Sequence, residues 1–466
     1  MRLALLAWTL AGIWGCASAP PSPVPAPGPT AARPSPAPVA TPAATPLVEA
    51  PRCPAVTVEV PEVPVGGEDA PVPPVLHDET LAPFFEKVAR LLRGQATEHL
   101  RIAVYGDSNL TMDFLSGQLR RRLQARHGDA GHGFVALGQP WSHYKHMDVR
   151  HGVKSNITSY ACSTHPILDH IYGISGIAGE SQGLGGRAWV GTARGDAPIG
   201  KTASRFEVYY LEGKDRGQFA IEADGKELMR VESEAPELGV GVRRFELPDA
   251  PHEIAVVTTD GRRRVRFLGL TMERDVPPSF VVDAFGVGSM NTHAQHRQNA
   301  AINHEMLEER GYDLVIFATG ANDGFSLDTT PKELGELIER QRKALPDVAI
   351  LLLTPSDRGR DSTMKQTLDV VKQRYTIAED NRVALWDLFE AMGGENSMGA
   401  FKRRGFAVSD HIHMNEQGGA YLGDRLLNAL WTSLAKYLAA HPEAGCAPAP
   451  ETAGQPGGGE KAAGLP

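Results

Sequence analysis

The sequence predicts an α/β fold with a doubly wound parallel sheet and an inserted all-β sandwich domain. Two observations lead to this prediction. In residues 76–151 and 279–446, short apolar runs alternate with amphipathic stretches, a pattern typical of parallel strands joined by helices. In residues 152–278, apolar and polar residues alternate along runs separated by turn pairs such as Asp224-Gly225 and Asp260-Gly261.

The α/β part divides into five strands and six helices. The predicted strands are 101–105, 280–284, 314–319, 349–354 and 383–386. The predicted helices are 81–93, 112–126, 295–310, 331–345, 364–379 and 416–438. In such a sheet the active residues follow the carboxyl ends of the strands, so chemistry is expected at that edge.

Both ends of the chain are expected to lie outside the folded body. Residues 1–16 combine Arg2, an apolar run and Cys16, which resembles a lipoprotein signal with a lipidated Cys16. Ordinary secretion is the alternative. Pro and Ala dominate residues 17–75, which predicts a disordered tether, and residues 447–466 predict a disordered tail. The expected location is the cell envelope, on the outer membrane facing the periplasm, or outside the cell.

The composition excludes several classes of partner. The net charge is −9 and no dense basic stripe occurs, so no nucleic-acid partner is expected. No apolar run after the N-terminus reaches the roughly 20 residues of a membrane span. Cys53 and Cys446 flank the folded body, which predicts a disulfide between them in an oxidising compartment. No cofactor or metal is predicted, because His127 and His132 match no zinc-ligand spacing. A monomer is expected.

Four short segments carry residues suited to acyl transfer, and each occupies a strand end or the approach to the last helix. They are Gly106-Asp107-Ser108-Asn109, the strand end with Gly286 and Gly288, Thr319-Gly320-Ala321-Asn322-Asp323, and Asp410-His411-Ile412-His413. Ser108 is the predicted nucleophile, His413 its general base and Asp410 the residue that orients the imidazole.

Donors for an oxyanion are expected from the same segments. They are the backbone N–H groups of Ser108 and Gly288 and the side-chain amide of Asn322, with the dipole of a helix starting near Leu110 behind them. Asp107 and Asp323 are expected to brace the loops. Gly286 is the alternative donor to Gly288, and His411 the alternative base to His413.

These segments, in this order, resemble the SGNH (GDSL-type) hydrolases, whose Ser, Gly, Asn and His fall on Ser108, Gly288, Asn322 and His413. Asp410 lies three residues before His413, as in the family's DxxH motif. The resemblance implies a flavodoxin-like hydrolase fold over about residues 98–435 and a serine esterase. Members with a sandwich between the serine and glycine segments include peptidoglycan O-acetylesterases. The resemblance therefore implies an acetylated envelope polysaccharide as substrate and a carbohydrate-binding role for the insert.

Four alternatives stay open at this stage. The same residues could pass the acetyl group to a sugar hydroxyl, or the site could be inactive in a wall-binding lipoprotein. Trp141, His143 and Tyr144 either line the substrate site or pack at a domain junction. Gly179-Glu180-Ser181-Gln182-Gly183 matches the G-x-S-x-G nucleophile elbow, but its flanks predict a glycine-rich loop.

Overall fold

The computed structural model describes residues 54–446 apart from 155, 182 and 360. The predicted signal with Cys16, the predicted tether up to Cys53 and the predicted tail from residue 447 lie outside the described residues. Among the helices of the described part, none is long and apolar enough to cross a membrane.

The described residues form sixteen strands. They are β1 (Leu100–Gly106), β2 (Gly131–Val135), β3 (Val149–Lys154), β4 (Ile157–Ala161), β5 (Ile177–Ser181), β6 (Arg187–Thr192), β7 (Ala203–Glu212), β8 (Gln218–Ala223), β9 (Lys226–Glu232), β10 (Gly239–Ala250), β11 (Glu253–Thr258), β12 (Arg266–Glu273), β13 (Phe280–Gly286), β14 (Leu314–Ala318), β15 (Ala349–Leu353) and β16 (Ala384–Trp386).

Nine α-helices accompany these strands within the described ranges. They are α1 (Ala82–Leu92), α2 (Phe114–His127), α3 (Thr292–His296), α4 (Ala300–Arg310), α5 (Thr330–Ala344), α6 (Asp361–Asn381), α7 (Leu388–Met392), α8 (Ser397–Arg403) and α9 (Glu416–Ala440). Three single 3₁₀ turns cover Asp78–Leu81, Ser108–Leu110 and Asp323–Phe325.

A parallel five-stranded sheet forms the centre of the α/β part, in the order β13-β1-β14-β15-β16. Apart from Arg101 and Asp283 its strands are apolar, because helices cover both faces. One face packs against α1, α2 and α9 through residues such as Val88, Leu119 and Leu426. The other packs against α4, α5 and α6 through Met306 and Ile377, among others. The predicted fold class and all five predicted strands are confirmed.

Two antiparallel sheets form the inserted sandwich, in the orders β10-β7-β12-β5-β4 and β3-β6-β11-β8-β9, with β2 also paired to β12. The insert therefore starts near residue 131, earlier than the predicted 152. β2 shows no alternation of apolar and polar residues, because two of its five residues are glycines; both Gly131 and Gly133 have positive φ. A Cβ on Gly133 would lie 2.1 Å from the Asp283 carboxylate, so β2 runs against β13 where only glycine fits.

The predicted disorder of residues 17–75 is wrong for residues 54–75, which pack on the hydrolase core. Val56, Val58 and Val60 contact that core at alternate positions. The Arg425 guanidinium donates to the carbonyls of Pro64 (2.7 Å) and Ala70 (2.8 Å). The Pro-rich composition gave no sign of this order. An extended segment can accept hydrogen bonds from donors in other parts of the chain, so it needs no helical or hairpin pattern in its own sequence.

Local capping accounts for other differences from the sequence prediction. The predicted helix 295–310 is split into α3 and α4, because the side chains of Asn291 and Asn299 each cap a separate helix start. The short helices α7 and α8 were not predicted. Gly179–Ser181 belongs to strand β5 and not to a glycine-rich loop, and Ser181 is fully buried.

Candidate active site

Three of the four predicted segments meet at the carboxyl edge of the central sheet. Strand β1 lies between β13 and β14, so Ser108 follows the middle strand, with Gly288 and Asn322 following its two neighbours. The N–H of Val287 donates to the carbonyl of Gly106 (3.1 Å), which joins the glycine loop to the start of the serine loop.

The fourth segment, just before α9, reaches the same point. His413 Nε2 lies 2.8 Å from Ser108 Oγ, and His413 Nδ1 lies 2.6 Å from Asp410 Oδ2. The Asp410 carboxylate also accepts the backbone N–H groups of Ile412 (2.8 Å) and His413 (3.0 Å). Burial alone would raise the pKa of the Asp410 carboxyl, but these hydrogen bonds, first that from the His413 side chain, lower it to about 2. The carboxylate is therefore ionised above that pH and can balance a charge on the imidazole.

The alternative base, His411, points elsewhere. Its Nε2 lies 2.6 Å from Lys402 Nζ, and its backbone has φ of 63°. Of the two histidines, His413 is thus the one in contact with the nucleophile candidate.

The serine loop differs from its prediction. An α-helix was expected near Leu110, but Ser108–Leu110 form a single 3₁₀ turn and α2 starts at Phe114. Asp113, which precedes α2, has φ of 60°, and its carboxylate accepts from Ser116 Oγ and the Arg120 guanidinium. A helix dipole behind Ser108 was therefore a wrong expectation, and any oxyanion stabilisation must come from individual donors.

Individual donors are available around Ser108. Within the described ranges, no hydrogen bond is donated by the backbone N–H groups of Ser108 and Gly288. Asn322 Nδ2 donates one hydrogen to the carbonyl of Met290 (2.9 Å), which leaves its second hydrogen for a ligand. At Gly286, the alternative donor, a Cβ would lie 2.2 Å from the Leu110 backbone, so this glycine permits the close approach of two loops.

Asp107 and Asp323 hold these loops together. Asp107 accepts the N–H groups of Asn109 (3.0 Å) and Ala321 (3.3 Å), and therefore links the serine loop to the asparagine loop. Burial raises the pKa of the Asp107 carboxyl, while these two hydrogen bonds oppose the shift. Asp323 accepts from the N–H and hydroxyl of Thr292 (2.7 Å each) and from Arg374 (2.6 Å).

The insert forms a wall beside the glycine loop. A Cβ on Gly288 would lie 3.4 Å from the Trp141 indole, so the ring packs on the Gly288 backbone. His143 is stacked on Trp141 with 5.8 Å between ring centroids, and both retain exposed surface. Ser163 Oγ donates to the Gly288 carbonyl (2.6 Å). Tyr144 is buried behind this wall, where it packs with Val287 and Met290, so of the two alternatives left open for Tyr144 the structure shows packing at the domain junction.

A buried histidine cluster lies behind Tyr144. Asp113, His132 and His146 offer ligand atoms that lie within 4.8 Å of one another. The Asp113 carboxylate already accepts from Arg120 (2.7 Å), Ser116 (2.6 Å) and the N–H of Met147 (3.1 Å). A cationic guanidinium on the carboxylate opposes a bound cation, so these residues fit a hydrogen-bonded cluster better than a metal site.

This cluster predicts acid sensitivity. Burial lowers the pKa of His146 to about 4 and that of His151 to about 3, whereas an unfolded histidine titrates near 6.5. Below pH 6.5 the unfolded chain therefore binds more protons than the folded protein does. The free energy of unfolding keeps its full value above that pH and decreases as the pH drops toward 4. We expect His146 alone to lower the free energy of unfolding by about 2 kcal/mol between pH 7 and pH 5.

Urea denaturation at the two pH values measures this loss. A His146→Gln variant should lose less stability than the unsubstituted protein over the same interval. Equal losses in both proteins would contradict the assignment to His146.

The sequence did not indicate that Asn109 takes part in the site. Its side chain is buried, and Oδ1 accepts the N–H of Met414 (2.9 Å), next to His413. Nothing in the local pattern indicates this partner, because the two residues are 305 positions apart.

The cysteines are accounted for in part. Cys446 is disulfide-bonded, while its predicted partner Cys53 lies outside the described residues, so this pairing stays a prediction. Cys162 is a free thiol with its Sγ 3.8 Å from Met290 Sδ, and burial raises its pKa to about 12.

Comparison with known proteins agrees with this fold. Residues 258–426 match the family model described as GDSL-like lipase/acylhydrolase. This range holds Gly288, Asn322, Asp410 and His413, and Ser108 is brought to them by the pairing of β1 with β13. Residues 258–426 thus carry a GDSL-like acylhydrolase domain of the esterase class, and the overall fold is that of the SGNH (GDSL-type) hydrolases with an inserted β domain.

Several solved structures are similar to this chain. One described as a peptidoglycan O-acetylesterase in action is 21% identical, with a TM-score of 0.62 over 77% of this chain and 97% of that one. A Bacillus subtilis protein matches at 13% identity and a TM-score of 0.29, over 62% of this chain and 94% of that one. A lipase/acylhydrolase from Enterococcus faecalis matches at 20% identity and a TM-score of 0.26, over 33% of this chain and 77% of that one. No curated protein sequence matches the chain.

Proposed function

We propose that this esterase removes acetyl groups from an envelope polysaccharide, with peptidoglycan as the substrate, through an acetyl-serine intermediate. The observation that carries the chemistry is the continuous hydrogen-bonded chain from Ser108 Oγ to His413 (2.8 Å) and on to Asp410 (2.6 Å). This is the arrangement that activates a hydroxyl as a nucleophile.

The reaction follows from these contacts. Ser108 Oγ forms a bond to the acetyl carbonyl carbon while its proton moves to His413 Nε2, and the oxyanion is held by the N–H groups of Ser108 and Gly288 and by Asn322. The bond to the sugar oxygen then breaks, and that oxygen takes the proton from His413. Water next attacks the acetyl-serine with His413 as base, the Ser108 Oγ leaves with the proton, and acetate is released.

Two features support a polysaccharide as the group that carries the acetyl. The structure with a TM-score of 0.62 is described as a peptidoglycan O-acetylesterase, and its likeness extends over 97% of that chain. The exposed rings of Trp141 and His143 also lie beside Gly288, and aromatic faces of this kind pack on the apolar face of a sugar. The predicted lipidation of Cys16, in residues outside the described part, would hold the enzyme in the envelope.

Acetate release tests the proposal. Purified protein is incubated with O-acetylated peptidoglycan, O-acetylated xylan and p-nitrophenyl acetate, and acetate is measured in each. We expect hydrolysis of all three, with the highest kcat/KM on peptidoglycan. Faster hydrolysis of xylan would contradict the substrate, and hydrolysis of none would contradict the esterase. Acetyl groups that appear on an added acceptor glycan instead of as free acetate would indicate an acetyltransferase.

The aromatic wall gives a second test. We expect His143→Ala to raise KM for O-acetylated peptidoglycan about fivefold, because one ring contact contributes about 1 kcal/mol. Turnover of p-nitrophenyl acetate should stay within twofold, since that substrate has no glycan to contact the wall. His304→Ala on α4 is a matched control that should change neither value. Equal KM for peptidoglycan in His143→Ala and the unsubstituted protein would contradict a glycan contact.

A further inference from the structure

The Asn109 side chain connects the loop of the nucleophile to the loop of the base. Oδ1 accepts the N–H of Met414 at 2.9 Å, and Nδ2 lies 3.5 Å from the carbonyl of Ile412. These two residues flank His413, so a single amide holds the backbone on both sides of the imidazole. Nδ2 also donates to Ser356 Oγ at 3.2 Å, in the loop after β15.

The loop that carries His413 has little burial of its own. Asp410 is exposed, His411, Ile412 and His413 keep part of their surface, and only Met414 of these five residues is buried. Hydrogen bonds within the loop, such as Val408 N–H to the His413 carbonyl (3.0 Å), shape it but do not fix it relative to Ser108. The contact with Asn109 joins this backbone to the serine loop, and Asn109 is held in turn by the hydrogen bond from its N–H to Asp107.

We propose that Asn109 is a positioning residue that keeps the His413 imidazole within proton-transfer distance of Ser108 Oγ. The amide suits this task because it carries both an acceptor and donors. An apolar side chain of similar size would leave the buried Met414 N–H without an acceptor, and the loop would move to find one. This inference rests on the proposed roles of Ser108 and His413, and it is independent of the identity of the polysaccharide.

The test uses Asn109→Leu, which has a similar volume and no hydrogen-bonding groups. With p-nitrophenyl acetate as substrate we expect kcat to fall about 10- to 100-fold, since misplacement of a catalytic group by about 1 Å costs this much. KM should stay within twofold, because Asn109 is buried and does not face the substrate. Ser356→Ala removes only the 3.2 Å contact and should lower kcat less than Asn109→Leu.

A double-mutant cycle separates positioning from a general loss of structure. If Asn109 acts through His413, then Asn109→Leu should have no further effect on the residual turnover of a His413→Ala protein, measured per mole of total protein. Loss of folded protein would instead lower activity by the same factor in both backgrounds. Such equal factors, or a kcat for Asn109→Leu within twofold of the unsubstituted protein, would overturn the inference. Absence of ester hydrolysis by the unsubstituted protein would instead contradict the proposed function.

Discussion

Substitution of Ser108 by alanine is expected to lower kcat for acetyl-ester hydrolysis by about 10⁴-fold or more. The Oγ atom is the group that would bond to the acetyl carbon, and without it neither His413 nor the oxyanion donors can form an acyl intermediate. The measurement is acetate release from O-acetylated peptidoglycan and from p-nitrophenyl acetate. Both rates should fall together, because both substrates require the same nucleophile.

Stability and labelling provide the controls for Ser108→Ala. The hydroxyl has its described partner in His413, so its loss should change the midpoint of urea unfolding little. A phosphonate ester probe should label Ser108 in the unsubstituted protein and leave Ser181 unlabelled, since Ser181 is buried in strand β5. Turnover close to that of the unsubstituted protein in Ser108→Ala, or a label on Ser181, would contradict the assigned nucleophile.

Substitution of His413 by alanine is the second change with a very large expected effect. The imidazole is the proposed proton acceptor, 2.8 Å from Ser108 Oγ, and without it the hydroxyl would remain a weak nucleophile. We expect kcat to fall about 10⁴-fold, with KM changed much less. Stopped-time assays of p-nitrophenyl acetate hydrolysis at high enzyme concentration would measure the residual rate.

The chain supplies a matched control two residues away. His411 belongs to the same loop but contacts Lys402, so His411→Ala should retain kcat within about threefold of the unsubstituted protein. A large loss in His411→Ala with near-normal turnover in His413→Ala would reverse the assignment of the base. Similar losses in both variants would indicate that the loop as a whole has moved.

Much of the site could be predicted because its residues follow strands that are apolar enough to be recognised. Strands β1, β13 and β14 have short buried runs, and Ser108, Gly288 and Asn322 come directly after them. The contacts between loops could not be predicted in the same way. Asn109 and Met414, or Ser163 and Gly288, form pairs of polar groups with no periodicity that would indicate a partner.

Errors in the sequence prediction have a common cause. The order of residues 54–75 depends on donors from Arg425 and Asn428 of α9, and strand β2 depends on its pairing with β12. In each case the local sequence has only a weak preference for one secondary structure, and contacts with distant residues determine the conformation. For Tyr144 the sequence left substrate contact and domain packing open, because its burial comes from the glycine loop of the other domain.

The five strands of the central sheet, the presence of an inserted β domain and the Ser, His and Asp side chains that meet at the sheet edge were thus predicted from the sequence alone. The spacing of hydrophobic residues along each segment and the residue types at the strand ends are sufficient to predict these features. The distances between the serine, histidine and asparagine loops, the absence of an α-helix directly behind Ser108 and the wall that Trp141 forms were decided only by tertiary structure. These features depend on hydrogen bonds and packing between segments hundreds of residues apart, which only the complete fold brings together.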